Sequence, residues 1–343
     1  MTSQTGAETT CALAVDLGGT RLRLAVVDVA GRVLTAERVV TPQAGAQAVV
    51  DRIVAIGTAL VSQHQGVSAV GVAAPGPLDP RRGVVFDTPN LDGFEDFPLG
   101  VRLADGLGLP VWLQNDANLA ALGEHRFGAG RGADPLIYLT VSTGVGGGIV
   151  RGGHMEGGHG GLAGELGHIV VADGGPACNF GHRGCLEGLA SGTALARLAV
   201  QRLAQGAASS LAATPPEDIT AAAIARAADD GDAMATEIFA TMGRFLGLAV
   251  GSLINALDPE RVVIGGGLAA AWHLFAPAMG TGLAEVVMVR DRRRISVVPA
   301  ATGDDAGLLG AATYALEEVG VPVPPPAPDP GPRHSDTTAS TAA

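Results

Sequence analysis

Two segments of this 343-residue chain share one pattern, in which an apolar run, a turn of glycine and threonine, and a second apolar run follow one another. The first segment is CALAVDLGGTRLRLAVVDV and the second is PLIYLTVSTGVGGGIVRGG. Each pattern is typical of a β-hairpin. Because the two hairpins lie far apart in the sequence, we expect two related halves that face one another, with a ligand-binding cleft between them.

The rest of the chain predicts an α/β fold. Apolar runs such as SAVGVAA, HIVVA and ISVVPA alternate with helical stretches, which favours mixed sheets flanked by helices. A hydrophobic content of 47% and a charged content of 16% suit a soluble protein with two packed cores. Residues 1–10 are polar and residues 321–343 are rich in proline, so we expect disordered tails at both ends.

Charge and composition exclude several classes of function. The net charge of −12 opposes attraction to nucleic acid or anionic membranes, so we expect neither as a partner. All 22 basic residues are arginine, and without lysine a Walker A loop, a protein-kinase site and a pyridoxal enzyme are excluded. The chain shows no signal peptide and no uninterrupted apolar run long enough to span a membrane. We therefore expect a cytoplasmic protein.

Two glycine turns could bind phosphate. Asp16 lies at the end of the first predicted strand, and the turn that follows offers glycine N–H groups and a hydroxyl, which are the parts of a phosphate and magnesium site. This turn alone favours an ordinary hairpin with a capping aspartate. The second turn, residues 142–148, presents the same kinds of group from the other half of the chain. One polyphosphate bound between the two turns would explain both.

A third glycine cluster, Gly265-Gly266-Gly267, follows the predicted strand RVVI and precedes a helix. With the three residues after it, this cluster matches a GxGxxA dinucleotide fingerprint, which would indicate a nicotinamide-dependent enzyme. That interpretation leaves the other glycine turns unexplained and supplies no catalytic partner. A nucleotide base and ribose packed against this backbone is the better use of the cluster.

Several polar residues could contact a ligand that carries many hydroxyls. Asp116 follows a predicted strand and opens an alanine-rich helix, and by itself this position favours a helix N-cap over catalysis. Glu165 and Glu187 taken singly would be surface acids, and His168 a buried ring with its hydrogen bonds satisfied. Their occurrence together between glycine-rich segments points to a polar ligand.

The order of these motifs resembles the ROK family of sugar kinases. The motifs are DLGGTRLRLAVVD, NDANLAALGEHRFGAG, STGVGGGIV, AGELGHIVV, GCLEGLASG, VVIGGGL and GDDAGLLGAA, and they span about Ala12 to Leu316. The resemblance implies an actin-like α/β fold with a cleft between two lobes, residues 11–115 plus 303–320 forming the small lobe and residues 116–302 the large one. It also implies an ATP- and Mg²⁺-dependent kinase, by family likeness a homodimer, that phosphorylates glucose or a close relative at its 6-hydroxyl.

The resemblance assigns a role to each motif. Asp116 is implied as the general base, and Asn115, Glu165, His168 and Glu187 as ligands of the other sugar hydroxyls. Asn90 and Gly76 match positions that also contact the sugar in similar proteins. Asp16 is implied to act on magnesium, directly or through water. The implied phosphate and nucleotide contacts are Gly18, Gly19, Thr20, Thr143, Gly144, Gly146, Gly265, Gly266 and Gly267.

The chain departs from the family at an expected zinc site. The family pattern places one histidine and three cysteines on the metal, and these positions align with His168, Cys178, Phe180 and Cys185. Phe180 cannot bind zinc, and a structural zinc normally takes four protein ligands. We therefore expect well under one zinc per chain, unless water or His182 completes the site.

Several alternatives stay open within and beyond the family. N-acetylmannosamine, N-acetylglucosamine and fructose kinases share these motifs, and polyphosphate could replace ATP as donor. A sugar-responsive repressor would need a helix-turn-helix module ahead of the first hairpin, which begins by Cys11. The retained Asp116 also favours a kinase over a regulator without catalysis.

Overall fold

The computed structural model describes residues 10–86, 88, 91–178, 180–288 and 295–326. These residues form two compact units. Unit 1 comprises the described residues up to Gly132, together with 153–163 and the described residues from Asp304 onward. Unit 2 comprises 133–152 and the described residues of 164–303. The α/β class predicted from the sequence is confirmed.

Strands and helices alternate as the apolar pattern predicts, except that the run HIVVA does not form a strand. Within this run, Val170 makes only an isolated β-bridge, with Cys185. The strands are β1 (Cys11–Leu17), β2 (Arg21–Asp28), β3 (Val33–Val40), β4 (Val67–Ala74), β5 (Leu78–Asp79), β6 (Val84–Val85), β7 (Val111–Asn115), β8 (Leu136–Val141), β9 (Val145–Arg151), β10 (His154–Met155), β11 (Arg261–Gly265) and β12 (Ser296–Pro299). The α-helices are α1 (Ala46–Ser62), α2 (Leu99–Leu107), α3 (Asp116–Phe127), α4 (Leu186–Ala190), α5 (Gly192–Ala204), α6 (Ala221–Asp229), α7 (Ala233–Leu257), α8 (Trp272–Val286) and α9 (Ala306–Glu318).

The sheet of unit 1 has the order β3-β2-β1-β4-β7. Strands β1 and β2 form the antiparallel hairpin that the sequence predicts, and β4 and β7 continue the sheet in parallel. Side chains alternate across β1, so that the large Leu13 and Val15 join a core with residues of α1 and α2. The small Ala12 and Ala14 join residues of α3 and α9 on the other face. The sheet is therefore covered on both faces.

Small residues let α9 lie unusually close to its neighbours. A Cβ on Gly71 of β4 would fall 1.9 Å from the carbonyl oxygen of Ala311 in α9. A Cβ on Gly310 would fall 1.7 Å from the carbonyl oxygen of Leu119 in α3. Because α3 packs directly on α9, it belongs to unit 1, whereas the lobe boundary expected from the sequence separates residues 116–132 from α9.

The sheet of unit 2 repeats the arrangement of unit 1. Its strands run in the order β9-β8-β11-β12, with an antiparallel β8–β9 hairpin followed by parallel β11 and β12. The corresponding strands of unit 1 are β2-β1-β4-β7. The common order confirms that the two halves are related, as the repeated hairpin predicts.

Helix α7 is the longest helix of the described chain and lies in the core of unit 2. Its length and hydropathy would suit a membrane span, but 61% of its apolar window is buried. It packs tightly on α8, because a Cβ on Gly247 would fall 2.1 Å from the carbonyl oxygen of Met279. Such burial is typical of a core helix.

Candidate active site

The predicted ligand-binding residues of unit 1 lie at one edge of its sheet. Strands β1, β4 and β7 are parallel, with Asp16 opposite Ala73 and Ala74 opposite Asn115. Gly76 follows two residues after the end of β4. Ligands of open α/β sheets bind at the carboxyl ends of such strands. The sequence motifs therefore meet where a binding site is expected in this unit.

The turn between β1 and β2 is fixed by hydrogen bonds from its neighbours. The N–H of Gly18 donates to the carbonyl of Arg21 at 2.9 Å. The hydroxyl of Thr41 donates to the carbonyl of Gly18 at 2.6 Å, and Gln43 donates to the carbonyl of Gly19 at 3.1 Å. Gly19 and Thr20 remain accessible at the tip of the turn. A rigid, accessible glycine turn suits the close approach of a phosphate.

Asp16 is paired with an arginine. Its Oδ2 accepts a hydrogen bond from Nε of Arg23 at 3.0 Å, and Nη2 of Arg23 contacts the same oxygen. Nη1 of Arg23 lies 3.6 Å from the Asp305 carboxylate. Both bonds to Asp16 involve Oδ2, so among the described residues Oδ1 is left for a further ligand. The β1–β2 register places Asp16 opposite Arg23, and this register is the signal from which the pair follows.

Asn115 caps helix α3. Its Oδ1 accepts hydrogen bonds from the N–H groups of Ala117 at 3.0 Å and Asn118 at 3.2 Å. The N-cap role that the isolated sequence position suggests for Asp116 is therefore wrong. Asp116 is instead the first residue of the helix, and it is exposed. A helix N-terminus stabilises negative charge, which is the state that a general base requires.

The turn between β8 and β9 is held by helix α5. The N–H of Ser142 donates to the carbonyl of Gly144 at 2.9 Å. The hydroxyl of Thr193, in the first turn of α5, donates to the carbonyl of Thr143 at 2.8 Å. Thr143 is exposed, and Gly146 lies within β9 opposite Thr140. This turn, like that of the first hairpin, presents glycines and an exposed threonine.

The third glycine cluster borders a cavity of unit 2. Gly266 has a φ of 82°, and a Cβ there would fall 2.5 Å from the carbonyl oxygen of Val141. The cavity has a volume of about 790 Å³. Its lining includes Thr143, Thr193, Gly267, Leu268, Ala225 and Ala271. Mixed apolar walls and hydroxyls suit a nucleoside, and the cavity lies beside the β8–β9 turn.

Glu187 contacts the β8–β9 turn directly. Its Oε2 accepts a hydrogen bond from the N–H of Val145 at 3.2 Å. A Cβ on Gly144 would fall 2.6 Å from the same oxygen, which explains the glycine at that position. The other oxygen, Oε1, is buried and has no hydrogen-bond partner among the described residues. That oxygen is an unsatisfied acceptor, as a ligand hydroxyl would require.

Glu165 and His168 lie beside Glu187. Loss of surrounding water raises the pKa of Glu165, although solvent still reaches the side chain; the His168 ring lowers this pKa, and Glu187 raises it. A Cβ on Gly167 would fall 1.9 Å from the carbonyl oxygen of Val145, so the segment that carries both residues packs against the start of β9. The structure thus brings together the three residues of unit 2 that the sequence predicts as sugar ligands.

The predicted metal ligands of unit 2 also meet. His168, Cys178 and Cys185 are joined by His182, and the four donor atoms lie within 4.8 Å of one another. The ring of Phe180 lies edge-on to the His168 ring, with 5.0 Å between the centroids. Burial raises the pKa of the Cys185 thiol, as does a hydrogen bond with Cys178. Asn90, the other predicted sugar contact, lies outside the described residues.

The sequence profile of the ROK family matches residues 12–318. This span runs from the second residue of β1 to the end of α9 and contains every candidate site residue discussed above. This chain belongs to the ROK family.

Several named relatives of this ROK protein are sugar kinases. The glucokinase of Thermotoga maritima is 37% identical over 311 residues, which cover 90% of this chain and 98% of the relative. An N-acetylmannosamine kinase of Yersinia pestis is 32% identical over 308 residues, covering 88% and 97%. The crystal structure of a ROK family glucokinase from Streptomyces griseus, in complex with glucose and AMPPNP, is 37% identical. That match has a TM-score of 0.78 and covers 90% of this chain and 99% of the other.

Two contacts of this ROK protein were missed by the sequence analysis. Arg23 was not assigned, although the hairpin register predicts its partner. Asn118 was quoted only as part of a motif, yet its Nδ2 donates to the carbonyl of Ala163 at 3.2 Å, while its buried Oδ1 has no partner among the described residues. Its position one turn into α3, three residues after the cap, is the only sequence signal for this role.

Proposed function

We propose that this protein transfers the γ-phosphate of ATP to the 6-hydroxyl of glucose. The observation that carries the proposal is the near full-length similarity to a glucokinase solved with glucose and AMPPNP. The buried, unpartnered Oε1 of Glu187 beside a glycine turn supports it, because such a group suits a polyhydroxyl ligand next to a phosphate. We place the enzyme in the cytoplasm, and homodimerisation remains a prediction.

Asp116 is the general base in this proposal. The hydroxyl of the sugar donates a hydrogen bond to the Asp116 carboxylate, which takes the proton as the oxygen attacks the γ-phosphorus in line with the leaving ADP. Its position at the start of α3 holds the carboxylate exposed to a ligand and favours its charged state. The cap bonds from Asn115 fix the start of that helix.

The remaining hydroxyls of the sugar are bound by Asn115, Glu165, His168 and Glu187. Carboxylates accept hydrogen bonds, while the Nδ2 of Asn115 donates, because its Oδ1 already serves the helix cap. Donors and acceptors held in fixed directions distinguish one sugar from its epimers. Gly76 and Asn90 remain predicted sugar contacts.

The two glycine turns bind the phosphates of ATP. In unit 1, Gly19 and Thr20 offer N–H groups and a hydroxyl, while Gly18, whose own N–H donates to Arg21, contributes a backbone without a side chain. In unit 2, the proposed phosphate contacts are Thr143, Gly144 and Gly146. Magnesium would neutralise phosphate charge, and Asp16 would hold it directly or through water with Oδ1, because Arg23 already occupies Oδ2. The cavity bordered by Gly267 takes the adenosine, and Gly265 and Gly266 remain predicted nucleotide contacts.

A panel of acceptors and donors tests this function. Release of ADP would be measured with glucose, mannose, fructose, N-acetylmannosamine and N-acetylglucosamine, with ATP and with polyphosphate in separate reactions. We expect the highest kcat/KM with glucose and ATP. A clear preference for N-acetylmannosamine would favour the alternative that the Yersinia relative suggests. Sugar binding without any phosphorylated product would indicate a regulator and overturn the proposal.

A further inference from the structure

The further inference concerns the metal ligands of unit 2. The expectation of little zinc rests on a count of three ligands, since Phe180 replaces a cysteine of the family pattern. The structure adds a fourth donor at the same place, because one ring nitrogen of His182 lies within 4.8 Å of the donor atoms of His168, Cys178 and Cys185. We propose that His182 replaces the missing thiolate and completes a Cys2His2 zinc site.

The backbone of the loop explains why His182 can reach the site. The N–H of Gly181 donates to the carbonyl of Cys178 at 2.9 Å, and the N–H of Cys178 donates to the carbonyl of His182 at 2.8 Å. Gly181 has a φ of 81°, which lets the chain reverse within this short turn. His182 therefore lies beside Cys178 as the chain returns.

Cys185 is placed by a second set of backbone bonds. The N–H of Leu186 donates to the carbonyl of Ile169 at 3.0 Å, and a β-bridge pairs Val170 with Cys185. This pairing sets Cys185 against the segment that directly follows His168. Two independent backbone constraints, the turn and the bridge, thus bring four donors from three short segments to one point.

The chemistry of the donors fits zinc. Cys178 and Cys185 are buried free thiols, and Nδ1 of His168 is buried without a hydrogen-bond partner among the described residues. A buried polar atom without a partner is costly, and a metal would satisfy it. Two thiolates and two neutral imidazoles also balance the charge of Zn²⁺. The donor atoms of a tetrahedral zinc site lie about 3.3–3.8 Å apart, so movements of roughly 1 Å would bring these four donors to zinc-binding distances.

Phe180 has a different role from the cysteine that it replaces. Its ring packs edge-on against His168 and is 53% exposed, so it covers the site without offering a donor. The fourth zinc donor is instead His182, two residues further along the turn. His182 is exposed and therefore lies on the solvent side of the cluster.

Zinc binding of the full chain tests the proposal independently of kinase activity. We expect about one zinc per chain in the purified protein. We expect His182→Ala to weaken zinc affinity in a chelator competition by at least about 100-fold, more than loss of an outer-shell partner. His182→Cys, which keeps a donor, should retain the metal. His159→Ala is the matched control, because His159 is also exposed and follows a glycine, and it should leave zinc binding unchanged.

Spectra and stability separate the possible outcomes. Cobalt substituted into the wild type should show a tetrahedral spectrum with thiolate charge transfer, which His182→Ala should alter. Phe180→Cys should leave the zinc content at one and the melting temperature unchanged, because the site is already filled. Zinc binding as tight in His182→Ala as in the wild type, an unmodified protein without zinc, or new zinc binding created only by Phe180→Cys would each overturn the proposal.

Discussion

At the scale of single residues, Asp116 carries the most specific claim. Its carboxylate opens helix α3, is exposed, and is not the residue that caps the helix. We expect Asp116→Asn to lower kcat by roughly 10²–10⁴-fold, because an amide cannot accept the proton. The dissociation constant for glucose should change little, since asparagine keeps the shape.

Assays of ADP release measure kcat, and calorimetry measures the dissociation constant for glucose. A variant with wild-type turnover would remove Asp116 from the role of general base. Asp105→Asn, which makes the same exchange at an exposed carboxylate of α2, is the comparison and should leave kcat unchanged.

Glu187 and Glu165 carry the second claim at this scale. Glu187 uses one oxygen for the N–H of Val145 and leaves the other buried and unpartnered. We expect Glu165→Gln and Glu187→Gln to raise the KM for glucose by about tenfold or more, because a charged acceptor contributes about 1.5–3 kcal/mol to a hydrogen bond. The KM for ATP should stay near its starting value. Steady-state kinetics with each substrate varied in turn provide the check, and a change confined to ATP would place both residues at the nucleotide.

At the scale of elements, hairpins and helix starts show what sequence can and cannot predict. Both glycine-turn hairpins were predicted, because alternation and turn chemistry are local signals. The isolated position of Asp116 favoured a cap, whereas Asn115 caps α3, since both residues are good caps and sequence alone does not separate neighbours. The packing of α3 on α9 was missed, because it depends on glycines almost two hundred residues apart.

Helix α7 offers an element-scale prediction about stability. Asp232 caps the helix, and burial opposes its ionisation; hydrogen bonds from Ala235, Ser209 and Ser210 outweigh this and lower its pKa to about 2. We expect Asp232→Ala to reduce the free energy of unfolding near neutral pH by about 1–2 kcal/mol. Asp230→Ala, which removes a nearby exposed carboxylate, should have a smaller effect.

The pH dependence of this effect has a definite sign. Because the folded pKa is below the unfolded value, ionised Asp232 stabilises the fold above pH ~4, and this contribution is lost as the pH falls through about 2. The difference between wild type and Asp232→Ala should therefore shrink as acid is added. Urea unfolding at a series of pH values measures it, and a difference that grows in acid would contradict the assigned cap.

At the scale of the whole molecule, the order of motifs predicted more than any single motif. The α/β class followed from alternating apolar and helical stretches, and the related halves from the repeated hairpin. The family followed from seven short segments in order, and the family profile covers residues 12–318. The sequence alone did not identify the fourth metal donor, because the approach of His182 to Cys178 depends on the turn at Gly181. Nor could it give the Asp16–Arg23 pair without the hairpin register.

The central claim is that this chain phosphorylates glucose at its 6-hydroxyl with ATP. Carbon and phosphorus NMR of the reaction with isotopically labelled glucose tests it most directly. We predict one glucose 6-phosphate for each ADP, with phosphorus coupling seen at carbon 6 of the sugar, and almost none with Asp116→Asn. Phosphate on another carbon, or ADP that appears with free phosphate and unchanged glucose, would contradict the account.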